Sequence, residues 1–151
     1  MVQPDDLADY PVPLLVDLAN RVLPDVIDRA LAEAGYDDVT RAHGHVFDAL
    51  DPDGSRITDM AVRARITKQA MGELCTSLEQ RGYLARIPDP ADGRAKLVVL
   101  TARGAAMVAV ARTAMADLDA AWTAHLGRDA TRDLRAALTS LVVAFAADHV
   151  R

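Results

Sequence analysis

The sequence predicts a mainly α-helical protein of about six helices, with one small β-hairpin set between the fourth helix and two long final ones. Three observations predict it. Apolar residues recur at three- and four-residue spacing over most of the 151 positions. Thr or Asp stands before several of these stripes and Gly just beyond them, the residues that cap helix starts and ends. Only around 83–100 does the apolar period fall to two, as in a strand.

Taken in order, Leu14 to Ala34 carries apolar residues at 15, 18, 22, 26, 27, 30 and 31, with Gly35 placed as a C-cap. Pro24 inside it is expected to kink or split the helix, because proline removes a backbone donor. Thr40 caps a second helix through Leu50, closed by the turn signal "DPDG" at 51–54. A short extended piece, Ser55–Ile57, precedes a helix capped by Thr58 and running from Asp59 to Arg65. Thr67 caps the stretch "KQAMGELCTSLEQR", which stops at Gly82. "YLARI" and "KLVVL" are β-type runs around "PDPADGRA", whose Pro, Asp and Gly favour a turn, with Gly93 and Arg94 at the tip. Thr101 caps a helix to Leu126, Gly127 ends it, and Asp129 caps a last helix to about His149.

Composition narrows the function classes. Half the residues are apolar (51%), yet no run of eighteen is, and the N-terminus is acidic where a signal peptide would be basic. A cytoplasmic protein without a membrane partner is expected. The single Cys75 excludes an internal disulfide and any CxxC motif. The net charge of −5 is unevenly spread. From Arg56 to Arg103 there are nine Lys/Arg against five Asp/Glu, net +4, and the rest holds eight against seventeen, net −9. A basic segment inside acidic flanks is a footprint for a polyanion or, more blandly, a solvated face.

Helix, turn, helix and hairpin in the middle of that order make a winged helix-turn-helix. Within its second helix Ala70, Leu74, Cys75 and Leu78 fall on one face, while Lys68, Gln69, Gly72, Glu73 and Thr76 share the other. A reading helix lies in the major groove of a duplex with its N-terminal residues toward base edges, where lysine suits guanine, glutamine adenine and glutamate cytosine. Gly72 costs such a helix about 0.5–1 kcal/mol relative to alanine. Either its missing side chain lets the helix approach the groove closely, or it relieves crowding, or it is tolerated. Arg94, beside Asp92 in the hairpin, suits the negative potential of a minor groove. Asp89 or Asp92 would hold it or brace the tip. Arg63, Arg65 and Lys96 are candidates for phosphates, or are solubilising charges.

Other chemistry finds no support in the spacing. His43 and His45 point about 200° apart on a helix and cannot share one metal ion. His45 with Asp48, or His43 with Phe47 and Trp122, are candidates for a ligand cleft; the plainer alternative is satisfied polar residues near a seam between copies. His125 and His149 lie near helix ends, where the dipole favours a cation. No Ser/His/Asp set, paired carboxylate site, P-loop or dinucleotide fingerprint occurs at usable spacing, so neither an enzyme nor a cofactor is expected.

Residues 57–104, "ITDMAVRARITKQAMGELCTSLEQRGYLARIPDPADGRAKLVVLTARG", resemble the MarR family of winged helix-turn-helix transcriptional regulators, most sharply in "LEQRGYL" followed by "DPADGRAKLVVLT..G". The resemblance implies N-terminal helices at 10–50 and C-terminal helices at 102–151 that pair two copies into a homodimer around DNA-binding regions at 55–101. It implies a pseudo-palindromic operator, repression, and relief by a small-molecule effector. It also implies that Asp92 and Arg94 are the wing pair and that Thr67, Lys68, Gln69 and Glu73 face DNA. The apolar stripes "LLVDLANRVL" and "LRAALTSLVVAF" fit the dimer, since they exceed what one small wing domain can cover, and Trp122 is their largest anchor. Peroxide-sensing members carry a reactive cysteine in the first helix, whereas Cys75 falls on the inner face of the reading helix. The alternative class is an interaction module that keeps the fold, binds a protein and has lost specific DNA binding.

Overall fold

A computed structural model describes residues 7 and 9–148. The elements, in chain order, are α1 (Val12–Glu33), α2 (Arg41–Ala49), α3 (Ile57–Ala64), α4 (Lys68–Gln80), β1 (Leu84–Asp89), β2 (Asp92–Leu100), α5 (Ala102–Leu126) and α6 (Arg128–Asp148). They fall into two compact units, one up to Ala114 and one from Met115. The expected order is the observed one. His149 lies outside the described residues.

Most caps are those the sequence marks. Thr67 accepts a hydrogen bond from the Ala70 N–H at 3.1 Å, and the Gly104 N–H donates to Thr101 Oγ1 at 3.0 Å. Four expectations need correction. The helix α1 runs through position 24 without splitting, since proline's fixed φ is helical and its cost falls on one hydrogen bond. Thr58 does not cap α3; the cap is Arg56, because Ser55 is bridged to Val98 and the chain must turn into the helix directly from that bridge. Asp129 lies inside the first turn of α6 rather than before it. Finally, the turn of the hairpin is Pro90–Ala91, not Gly93–Arg94.

The first unit is organised around one core. Val46, Met60, Met71, Cys75, Leu78, Tyr83, Leu84, Val98 and Met107 are buried, so α2, α3, α4, the hairpin base and the start of α5 share it. Met71, Cys75 and Leu78 form the buried face of α4, while Ala70 and Leu74 are only half-buried. Burial pushes the Cys75 thiol up, as suits a small apolar side chain and not a thiolate. The sequence "LTARG" explains how α5 joins this core. Thr101 Oγ1 donates toward the carbonyls of Gly82 (2.6 Å) and Tyr83 (3.1 Å), and a Cβ on Gly104 would stand 2.1 Å from the Tyr83 carbonyl oxygen. Only glycine permits that approach.

The second unit, with α6 and the end of α5, contrasts with the first. An ion pair between Arg135 and Asp119 at 2.9 Å links its two helices, and Trp122 is half-buried. Leu134, Leu138, Leu141 and Val142 of α6 are exposed. No helix among the described residues is long and apolar enough to cross a membrane.

Candidate nucleic-acid interface

The second helix of the helix-turn-helix, α4, presents the polar face its sequence predicts. Thr67, Lys68, Gln69, Glu73 and Thr76 are exposed and Gly72 is half-buried. A Cβ added at Gly72 would meet nothing within 4 Å, so relief of crowding within the chain is not its role. Gln69 Nε2 donates to Glu73 Oε1 at 3.0 Å, one helical turn away. That bond fixes the amide yet leaves its oxygen and its second N–H, the acceptor and donor that an adenine edge requires. Thr76 is differently engaged: its hydroxyl donates to the Gly72 carbonyl at 2.8 Å and accepts from Arg86 Nη2 at 2.9 Å.

Between α3 and α4 the chain turns at Arg65, which adopts the left-handed conformation (φ 55°, ψ 38°) as the only described non-glycine residue with positive φ. A side chain there costs on the order of 1 kcal/mol relative to glycine. Arg65 is exposed and makes no ion pair with any described residue.

The hairpin pairs antiparallel from Leu84 with Leu100 to Pro88 with Lys96, then shifts register so that Asp89 faces Asp92. Pro88 has no N–H to continue the ladder, and Gly93, Arg94 and Ala95 are left without ladder partners. Such a bulge re-aims the side chains it carries. Asp92 Oδ1 accepts from the Arg94 backbone N–H at 3.2 Å. Asp92 thus positions Arg94 through its backbone, and the Arg94 side chain stays exposed. Asp89 is buried and braces the tip: its carboxylate accepts from the Ala91 N–H at 2.8 Å and from Arg56 Nε at 2.7 Å. Those donors, the backbone one first, hold the Asp89 carboxyl below the usual carboxylate range.

The basic segment therefore divides in two. Arg56 is tied to Asp89 and, at 3.7 Å, to Asp92. Arg63 donates to the Ala49 carbonyl at 2.7 Å and pairs with Asp51 at 2.6 Å, closing the end of α2 onto the turn before Ser55. Arg81 and Arg86 pair with Asp38 and Glu79, and Arg103 donates to the Tyr83 hydroxyl while lying over its ring. Arg65, Lys68, Arg94 and Lys96 remain, exposed and outside any ion pair with the described residues. Arg63, expected among the phosphate candidates, is a brace between α3 and α2. Sequence reasoning missed Arg86 on the face of α4; its partners Thr76 and Glu79, 10 and seven positions away, gave no local signal.

The ligand-cleft candidates part company. His43 is buried, accepts at Nδ1 from the Thr40 N–H at 3.0 Å, and lies 3.2 Å from Ser77 Oγ through Nε2. Burial, then the charge of Arg81, pushes its pKa down, with Asp38 opposing. It is a satisfied polar residue that fastens the start of α2 to α4. Phe47 packs on the same core, whereas Trp122 belongs to the second unit, so no single unit holds all three. His45 and Asp48 line a separate small cleft with Ala49, Arg63 and Ala64. Among the described residues no group of three His, Cys, Asp or Glu side chains is placed to hold a metal ion.

Known proteins share this architecture. The chain is similar to HTH-type transcriptional regulators of Mycobacterium bovis and Mycobacterium tuberculosis, each 36% identical over 78 residues, 52% of this chain and 54% of theirs. It thus aligns with about half the length of these curated relatives. Among solved structures, a MarR family transcription regulator (TM-score 0.74, 16% identity, covering 93% of this chain and 91% of that one) shares its fold. So does a Staphylococcus aureus MepR–DNA complex (TM-score 0.72, 21% identity, 90% and 99%), and MepR bound to ethidium bromide is a further match (TM-score 0.61, 21% identity, 91% and 98%). The MarR family model matches residues 37–95, from the loop before α2 into the wing. That segment carries the helix-turn-helix and most of the hairpin, and over it the chain is similar to the MarR family.

Proposed function

We propose that this protein is a sequence-specific double-stranded DNA-binding regulator of transcription that acts as a homodimer. The observation that carries the reading is the division of its cations. Five arginines of the basic segment have acceptors within the chain, while Arg65, Lys68, Arg94 and Lys96 make no ion pair among the described residues and stand at the helix-helix turn, the start of α4 and the wing. Those are the three parts of a winged helix-turn-helix that meet a duplex. The pre-set Gln69–Glu73 pair, with Lys68 beside it, supplies donors and acceptors for base edges.

The second copy is assigned to the terminal helices. Leu14 and Leu18 of α1 are exposed, as are Leu134, Leu138, Leu141 and Val142 of α6, and apolar faces of this kind call for another surface. A two-fold dimer sets two α4 helices one helical turn of DNA apart, which fits a pseudo-palindromic operator. Binding there would exclude polymerase, the mode of a repressor. Release by a small molecule is proposed on the likeness in fold to the MepR structure that contains ethidium.

The test is selection of bound sites from a random duplex pool, followed by titration of variants. Arg94→Ala is expected to weaken binding to every duplex, and Gln69→Ala to relax preference at one base pair per half-site. Binding without salt dependence, or a selected pool without a common motif, would overturn the reading in favour of a module that binds a protein.

A further inference from the structure

Arg86 stands where the wing meets the reading helix, and the DNA-binding reading above, on which this inference rests, leaves it without a role. Its side chain leaves β1 and reaches α4, where Nη2 donates to Thr76 Oγ1 at 2.9 Å and Nε lies 3.2 Å from Glu79 Oε2. Thr76 directs its own proton to the Gly72 carbonyl, so its oxygen is turned toward Arg86 as acceptor. Nη1 keeps both its N–H groups free of described partners. The guanidinium borders an open cleft that Ile57, Gln69, Gly72 and Glu73 also line.

The geometry of a duplex says what passes through that cleft. A major groove and the minor groove beside it are separated by one sugar–phosphate strand. A module that lays a helix in the first and a wing in the second must straddle that strand. Arg86 is the cation that spans those two elements. We infer that Arg86 grips a phosphate of the strand between the grooves, with Thr76 and Glu79 as positioning residues that hold the guanidinium edge outward. Arginine suits the task because its planar fork matches phosphate oxygens while other donors stay engaged. Thr76 then leaves the set of base readers.

The competing account is that Arg86 only staples the wing to α4. Salt-dependent fluorescence anisotropy of the full chain separates the two, using a mixed-sequence duplex and a duplex selected by the wild type. Arg86→Ala is expected to flatten the slope of log affinity against log salt by about 0.9 per lost contact, and to weaken binding about fivefold per contact near physiological salt on both duplexes. Arg86→Gln, which can still bond Thr76, should give the same flattening; Arg86→Lys should keep the slope. A staple alone predicts a lower unfolding temperature with the slope unchanged, and that result overturns the inference. Loss confined to one base pair of the selected duplex overturns it too. Flattening by Arg94→Ala but not by either neutral Arg86 variant sinks this inference and leaves DNA binding standing. A wild type that binds neither duplex sinks both.

Discussion

The helix-turn-helix region and the terminal helix α6 solve the same problem differently. Between Val46 and Met107 nine large or medium side chains are buried in one core, and every buried polar side-chain atom of the described residues has a partner. Along α6 the leucines that should be a core, Leu134, Leu138 and Leu141, stand 36–43% exposed. The first region is finished within one chain; the second is a surface waiting for company. The difference teaches that the helix-turn-helix region closes its own core, while under the proposed dimer the spacing of two such regions depends on what covers α6.

The largest effect is expected where the first region is tightest. Gly104→Ala places a methyl 2.1 Å from the Tyr83 carbonyl oxygen, and neither backbone moves freely, because Thr101 bonds that same carbonyl. Overpacking of this kind costs about 3 kcal/mol. Urea unfolding should show it as a lower midpoint; an unchanged midpoint would mean that α5 is not held against Tyr83. By contrast, Leu138→Lys with Leu141→Lys should leave the helix-turn-helix folded and convert the proposed dimer to monomer in sedimentation equilibrium, with loss of operator binding. If the dimer persists, α6 is not its seam.

His43 sharpens the comparison by showing how the first region depends on polar closure. Its folded pKa lies below the unfolded value, so the unfolded chain takes up a proton that the folded chain refuses. Stability is therefore whole above about pH 6.5 and declines as pH falls from there toward the depressed value. Arg81 and Asp38 face this ring, with Ser77 on Nε2 and the Thr40 N–H on Nδ1. Thermal melts of His43→Gln should lose that decline and keep the acid loss near pH 4 and below, which comes from Asp51 and Asp89, whose pKa values are lowered. A wild-type curve flat from pH 7 to 5 would contradict the assignment.

The contrast also marks what a sequence displays. Caps such as Thr67 and Thr101 act within three or four residues, and the order of elements was legible from them. The exposed polar face of α4 was legible because helical periodicity is local. What was hidden depends on partners far along the chain. Asp89 meets Arg56 across 33 positions, Tyr83 donates to Asp38 across 45, and the Ser55–Val98 bridge decides where α3 begins. The charge count of the basic segment was right in sum. It could not say which cations were already engaged, and so it did not set Arg63, paired with Asp51, apart from Arg65, nor single out Arg86.

The smallest expected change in stability is the most informative about function. Gly72 lies mid-helix in ordinary helical conformation, and nothing stands within 4 Å of where its Cβ would be. Gly72→Ala therefore meets no clash and should stabilise the fold by about 0.5–1 kcal/mol, through helix propensity alone. The same methyl would project into the cleft between Gln69, Glu73 and Arg86, where DNA is proposed to lie. Stability and affinity are then expected to move in opposite directions: a higher urea midpoint with weaker operator binding. No change inside the protein accounts for such a loss, because the chain has room for the methyl. If affinity instead stays level while the midpoint rises, the helix does not approach the groove closely at that turn, and Gly72 is merely tolerated.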